Sequence, residues 1–262
     1  MKYIDLNCDM GESFGAYTIG MDGDVIRHIT SANIACGFHA GDPVVMERTV
    51  AMAREHGVAP GAHPGYPDLM GFGRRNMQCS LDEIRGYIIY QIGAINAFCA
   101  AAGVPLQHVK PHGNLYNMAV GNEPMSRAIA EAVASVDTSL ILLSLAGKHS
   151  PLMRKIADDV GIAIAFEAFP DRAYSPDGVL VPRSQPGAVI TNGHQAADRA
   201  LRMATEGTVI AVDGSVIEMD VSTLCVHGDN PEAVSLVRDI RKTLESEGVR
   251  VVPMGTFMGD RK

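Results

Sequence analysis

The chain has 262 residues, 47% of them hydrophobic, enough to bury the core of an α/β barrel, so one domain spanning 1–262 is expected. A formal net charge of -8, with no Lys/Arg block and no interleaving of basic and aromatic residues, excludes a track for phosphodiesters and hence a nucleic-acid partner. The 5 cysteines are odd in number and lack paired metal-type spacing, which suits a reducing compartment.

The first strand-like run, 3–7, follows Met1 directly, without a basic leader or an apolar signal segment, so a cytoplasmic location is expected. Further short apolar runs fall at 32–36, 58–61, 108–110, 140–145, 162–166, 208–212, 223–226 and 249–253. Helical patterns separate most of them, the alternation of parallel strands joined by crossover helices. Helix starts are marked by Asp42 before Pro43, by Ser80 with Glu83 as a capping box, and by Asn230-Pro231-Glu232. Stops are marked by Gly57, Gly103, Gly161, Gly207 and Gly248. The longest apolar helical stretch, 88–102, carries Tyr90, Gln91 and Asn96 and is too short to span a membrane. The stretch 171–186, rich in Pro and Gly and without helical period, reads as a long functional loop or a small extra hairpin.

A doubly wound sheet and a barrel share this alternation, and the placement of polar residues separates them. In an open sheet ligands gather at one switch point, whereas in a barrel most strand ends contribute. Here most runs end in His, Asp, Glu or Lys set among glycines, which favours a distorted (β/α) barrel of about seven strands. Asp5, Asn7 and Asp9 are two apart and point inward together, with Glu12 close behind. Such carboxylates serve acid–base work, hold a cation, or cap neighbouring loops. His39 and His63 each follow an apolar run, and with Asp9 they fit a divalent-metal site of the hydrolytic kind or a purely hydrogen-bonded arrangement.

Lys110-Pro111-His112-Gly113-Asn114 is the densest cluster. A lysine ending a buried strand needs an anion: a substrate carboxylate or phosphate, or a strand-end carboxylate such as Asp5. His112 and Asn114 offer proton transfer and hydrogen bonding beside it. Arg75, in Gly71-Phe72-Gly73-Arg74-Arg75, and Arg172, after Glu167 and Asp171, suit a small anion or are solvated. Gly11-Glu12-Ser13-Phe14-Gly15 spells a nucleophile elbow but leads into no helical pattern. Gly147-Lys148 lacks the earlier glycine of a Walker loop, and Gly71-Phe72-Gly73 the third glycine of a dinucleotide fingerprint. The methionines read as core filler.

Taken together, 5–12, 31–43, 61–68, 71–75, 110–117, 167–174 and His227-Gly228-Asp229 resemble the LamB/YcsF family, whose members are the A subunit of bacterial 5-oxoprolinase. The resemblance implies a barrel similar to the glycoside hydrolase/deacetylase fold and ATP-dependent opening of 5-oxo-L-proline to L-glutamate, with ADP and phosphate released. ATP, accompanied by Mg, is then a co-substrate, and subunits B and C are the expected partners. On this reading Asp9, Glu12, His39, His63, Lys110 and His112 are catalytic. Asp5, Asn7, Arg75, Asn114, Glu167, Arg172 and His227 surround the substrate, with Arg75 or Arg172 on its carboxylate. A metal held by Asp9, His39 and His63 stays open, as does a homo-oligomer. The competing readings are a metal-dependent deacetylase or amidohydrolase acting without ATP, and a non-catalytic subunit that binds a small acid.

Overall fold

The computed structural model describes residues 1–228 and 231–258. In chain order its strands are β1 (Lys2–Met10), β2 (Ser31–Ala35), β3 (Ala59–His63), β4 (His108–Val109), β5 (Ile141–Leu145), β6 (Ala163–Ala168), β7 (Thr208–Ile210), β8 (Val216–Glu218), β9 (Thr223–Val226) and β10 (Val249–Val251). The helices are α1 (Asp22–Val25), α2 (Pro43–His56), α3 (Leu81–Ala102), α4 (Gly113–Ala119), α5 (Glu123–Val136), α6 (Ser150–Val160), α7 (Gly193–Glu206), α8 (Pro231–Ser246) and α9 (Gly255–Met258).

β1 to β6 and β9 close a parallel barrel in the order β1-β2-β3-β4-β5-β6-β9, with β9 returning to β1. Closure uses one edge of β1 twice: Lys2, Tyr3 and Ile4 pair with β10, and Asp5 to Cys8 pair with β9. The fold is thus the expected α/β barrel with seven strands in the closed ring. The run 208–212 departs from expectation. Only Thr208–Ile210 is extended, and it pairs antiparallel with Val216–Glu218 outside the barrel. The cause is a turn at Asp213-Gly214, where Gly214 has φ 87 and Ala211 N–H bonds Ser215 O at 2.9 Å, sending the chain back on itself.

Side-chain alternation along β1 places Ile4, Leu6, Cys8 and Met10 in the apolar layer under the helices and turns Asp5, Asn7 and Asp9 into the barrel. Parallel strands are commonly apolar on both faces, so this lumen is unusual. Its lower level is Asp5, fully buried, whose carboxylate accepts from Thr30 Oγ1 (2.7 Å), Ser31 Oγ (2.6 Å) and Thr223 Oγ1 (2.5 Å). Burial pushes Asp5 up to about 6 despite these donors. Ile141, Leu143, Ala165, Met254 and Met258 form a separate apolar cluster at the strand-start end.

The helix signals act as read. Asp42 accepts from Val44 N–H and Val45 N–H, and Ser80 and Glu83 form the reciprocal box that opens α3. Gly57, Gly103, Gly161 and Gly207 end helices in the left-handed conformation. Asn230, expected at the start of the last helix, and Asp229, of the His227-Gly228-Asp229 cluster, lie outside the described residues. Between β6 and α7 the chain forms no helix and is held by the bridges Arg172 to Val189 and Tyr174 to Leu180. All 5 cysteines are free thiols. Among the described residues no helix is long and apolar enough to cross a membrane.

Candidate active site

The strand ends converge on one mouth, and Lys110 lies across it. Its Nζ reaches Asp9 Oδ1 (2.9 Å) on β1 and Glu167 Oε1 (2.8 Å) on β6, with Asn7 Oδ1 at 3.3 Å and Cys225 Sγ at 3.2 Å. Burial disfavours the ammonium, but Asp9, Cys225 and Glu167 outweigh it and hold Lys110 well above its ordinary value. Asp9 is likewise opposed by burial, yet His63 and Lys110 keep it well below the carboxylate range. Asn33 Nδ2 bridges Asn7 Oδ1 (2.7 Å) and Asp9 Oδ1 (2.8 Å), and His108 Nε2 donates to Asn33 Oδ1 at 2.7 Å. Burial drives His108 down to about 3, so it is a neutral donor that fixes the orientation of the asparagine. Lys110 thus pairs with strand-end carboxylates, and these are Asp9 and Glu167, not Asp5. Asp5 faces three hydroxyls a level below Asn7 and Asp9.

On one side of Asp9 stand three histidines. His63 Nδ1 lies 2.7 Å from Lys110 O and His112 Nε2 lies 2.8 Å from Phe72 O, so each of these nitrogens carries the proton and donates. The inner nitrogens, His63 Nε2 and His112 Nδ1, are 2.9 Å apart, and Asp9 Oδ2 is 3.3 Å from His63 Nε2. His39 stacks on His112 with ring centroids 3.7 Å apart, is fully buried, and has a hydrogen bond at neither ring nitrogen. Glu12 Oε1 stands 3.8 Å from His39 Nε2 and 3.7 Å from His112 Nδ1. Burial pushes His39 well below its ordinary value and His112 down to about 3, keeping both rings neutral. The loops approach closely because they carry glycine. A Cβ on Gly65 would stand 2.5 Å from His39 Nδ1, and one on Gly73, which has φ 63, 2.8 Å from His112 Cδ2.

On the other side of Asp9, beyond β9, His227 Nδ1 donates to Asp171 Oδ2 at 2.5 Å, and Arg183 donates to His227 Nε2 at 3.1 Å. His227 is raised from its ordinary value: burial opposes its charge, and the Asp171 carboxylate overrides burial. The mouth thus sets an imidazole of raised proton affinity across from neutral ones, with the Lys110 ammonium between. Such an arrangement can take a proton at one point and deliver one at another.

Both arginines singled out in the sequence have protein partners. Arg75, 66% exposed at its side chain, is tied to the Asp68 carboxylate, a partner seven positions away across a glycine turn. Arg172 is buried and donates to Val181 O (2.7 Å) and Ala188 O (3.3 Å), bracing its own loop. Arg183 contacts His227, and the Arg74 guanidinium lies 5.6 Å from the Phe72 ring centre. Asn114 donates to Arg74 O and Asn76 Oδ1 on the rim. Ser13 Oγ accepts from Ile19 N–H within its loop, as the missing elbow helix implies. Sequence reasoning missed Asn33, His108, Tyr116 and Arg183. His108 shares the inward face with Lys110 two residues on, and Tyr116, four after His112 on α4, reaches Glu167 Oε2 at 3.3 Å.

Relatives preserve this chain along nearly its whole length. The A subunit of 5-oxoprolinase from Pyrococcus abyssi is 55% identical over 256 residues, covering 98% of this chain and 99% of that protein. The protein of the same name from Syntrophobacter fumaroxidans is 55% identical over 251 residues, covering 96% and 98%. The crystal structure of the "lactam utilization protein" from Thermus thermophilus superposes with a TM-score of 0.89 at 47% identity, covering 95% of this chain and 99% of that one. The LamB/YcsF family pattern matches residues 4–259. With a sequence match from the first strand to the last helix and a solved relative of the same barrel, the chain belongs to the LamB/YcsF family.

Proposed function

We propose that this chain is the lactam-opening component of a multi-subunit, ATP-dependent 5-oxoprolinase that converts 5-oxo-L-proline to L-glutamate. What carries the reading is the near-complete likeness to proteins named for that role, 55% identical over 98% of this chain. The mouth is chemically suited to it. A five-membered lactam is a stable amide, and attack on it requires an activated carbonyl oxygen. Transfer of the ATP γ-phosphoryl group to that oxygen, with loss of the ring N–H proton, gives a cyclic imidoyl phosphate and ADP. Water adds at the former carbonyl carbon, the ring nitrogen gains a proton, and the C–N bond breaks to leave an acyl phosphate. A second water releases phosphate and glutamate.

Each step has a candidate group. Asp9, ionised and 3.3 Å from His63, faces the water that must lose a proton. His227, whose proton affinity Asp171 raises, supplies the proton that the ring nitrogen gains. Lys110 offers a fixed positive charge toward the oxygen that gains negative charge. Arg183 and Arg74 are the rim cations for the substrate carboxylate. The test is glutamate formation from 5-oxoproline by this chain with its partner subunits. Equimolar glutamate and ADP, dependent on ATP, are expected. Glutamate formed equally well without ATP, or none from the complete assembly, would refute the proposal.

A further inference from the structure

We propose that Glu12, His39, His63 and His112 bind one divalent transition-metal ion of the zinc class at the barrel mouth. The observation is a set of inward imidazole lone pairs with no protein donor to satisfy them. His63 and His112 each spend their proton on a backbone carbonyl, Lys110 O at 2.7 Å and Phe72 O at 2.8 Å, which fixes the tautomers. Their inner nitrogens then face each other as lone pairs 2.9 Å apart. Two lone pairs in that pose repel, and a cation between or beside them removes the repulsion. Outer N–H groups donating to carbonyls while inner nitrogens converge is how metal-bound histidines are held in orientation. His39 adds a fully buried ring whose Nδ1 and Nε2 have no hydrogen-bond partner, an expensive placement unless a ligand completes it.

Distances agree. Ligand atoms about 2.1 Å from a tetrahedral ion stand roughly 3.4 Å from one another. Here the separations are 2.9 Å between His63 and His112, 3.7 Å between Glu12 and His112, and 3.8 Å between Glu12 and His39, with all four ligand atoms within 4.8 Å of one another. Asp9 is displaced from the set by its hydrogen bonds to Lys110 and Asn33. Three imidazoles and a single carboxylate favour Zn2+, Co2+ or Ni2+ over Mg2+, which prefers oxygen ligands and retains its waters. Such an ion polarises a bound carbonyl or lowers the pKa of a bound water.

Metal binding is read without substrate or ATP, so it stands or falls apart from the lactam reading. Chelator-treated full-length protein is titrated with Zn2+ by calorimetry and with Co2+ by visible absorption, alongside Mg2+. One equivalent of Zn2+ and of Co2+ is expected, with Mg2+ failing to compete at a hundredfold excess. Glu12→Gln and His63→Gln should each weaken binding at least tenfold, while Cys79→Ser, which removes the least buried thiol, leaves it unchanged. Near-UV circular dichroism checks that both ligand variants keep the wild-type fold, and two separate ligands guard against one failing to fold. Less than half an equivalent bound by wild type, or wild-type affinity in both folded ligand variants, overturns the proposal.

Discussion

Replacing Lys110 by Met keeps the length of the side chain and removes its charge. The ammonium meets Asp9 at 2.9 Å and Glu167 at 2.8 Å, with Lys110 and Glu167 buried. At an effective dielectric of about 20, each contact is worth roughly 6 kcal/mol of gross attraction, much of it offset by desolvation of the ions. Removing the cation leaves carboxylates without their counter-charge in a dry lumen, and breaking a buried pair in this way costs about 3–5 kcal/mol. For a chain of this size that lowers Tm by roughly 10 °C. Glu167→Gln in the Lys110→Met background should recover part of the loss, since it deletes a buried charge the lysine had compensated, giving a coupling energy of about 1–3 kcal/mol. Urea unfolding of the four proteins in the cycle measures this. A loss below about 1 kcal/mol for Lys110→Met, or a double variant less stable than Lys110→Met alone, would refute the account of Lys110 as the ion that holds the lumen together.

Two further outcomes follow from the titrating groups. Asp5 is raised to about 6, so folded protein gives up stability as pH climbs from its unfolded value near 4 through 6, on the order of 3 kcal/mol. Asp5→Asn should flatten the stability profile in that window, measured by denaturant midpoints from pH 4 to 7, and an unchanged slope would show that Asp5 is not its source. Asp171 raises His227, so Asp171→Asn should move the alkaline limb of kcat/KM to lower pH and should cost more stability at pH 5, where the pair is intact, than at pH values above which folded His227 has lost its proton. A limb that stays in place would remove His227 as the proton donor.

What could be read from the sequence is what depends on period and local chemistry. The inward face of β1 follows from residues two apart, the caps at Asp42 and Ser80 from short-range hydrogen bonds, and the loaded mouth from polar clusters at strand ends. Illegible were pairings that cross the barrel. Lys110 could have met any strand-end carboxylate, and only closure of the ring selects Asp9 and Glu167 over Asp5. The partners of the arginines could not be read because folding creates them: a turn brings Asp68 to Arg75, and the loop after β6 wraps its own carbonyls around Arg172. The run 208–212 was misplaced for a different reason, an Asp-Gly turn that outweighs β propensity beside it.

The double use of one β1 edge bears on how the chain is made. Lys2–Met10 is synthesised long before its partners β9 and β10, which begin at Thr223 and Val249. At about 5–20 residues per second, some tens of seconds separate them. Throughout that interval Asp5, Asn7 and Asp9 have no lumen to enter, and their ion pair with Lys110 has no dry surroundings. Shortened nascent chains that end before β9 should therefore hold an open, hydrated β1, and the mouth is assembled in one late event when β9 and β10 reach β1.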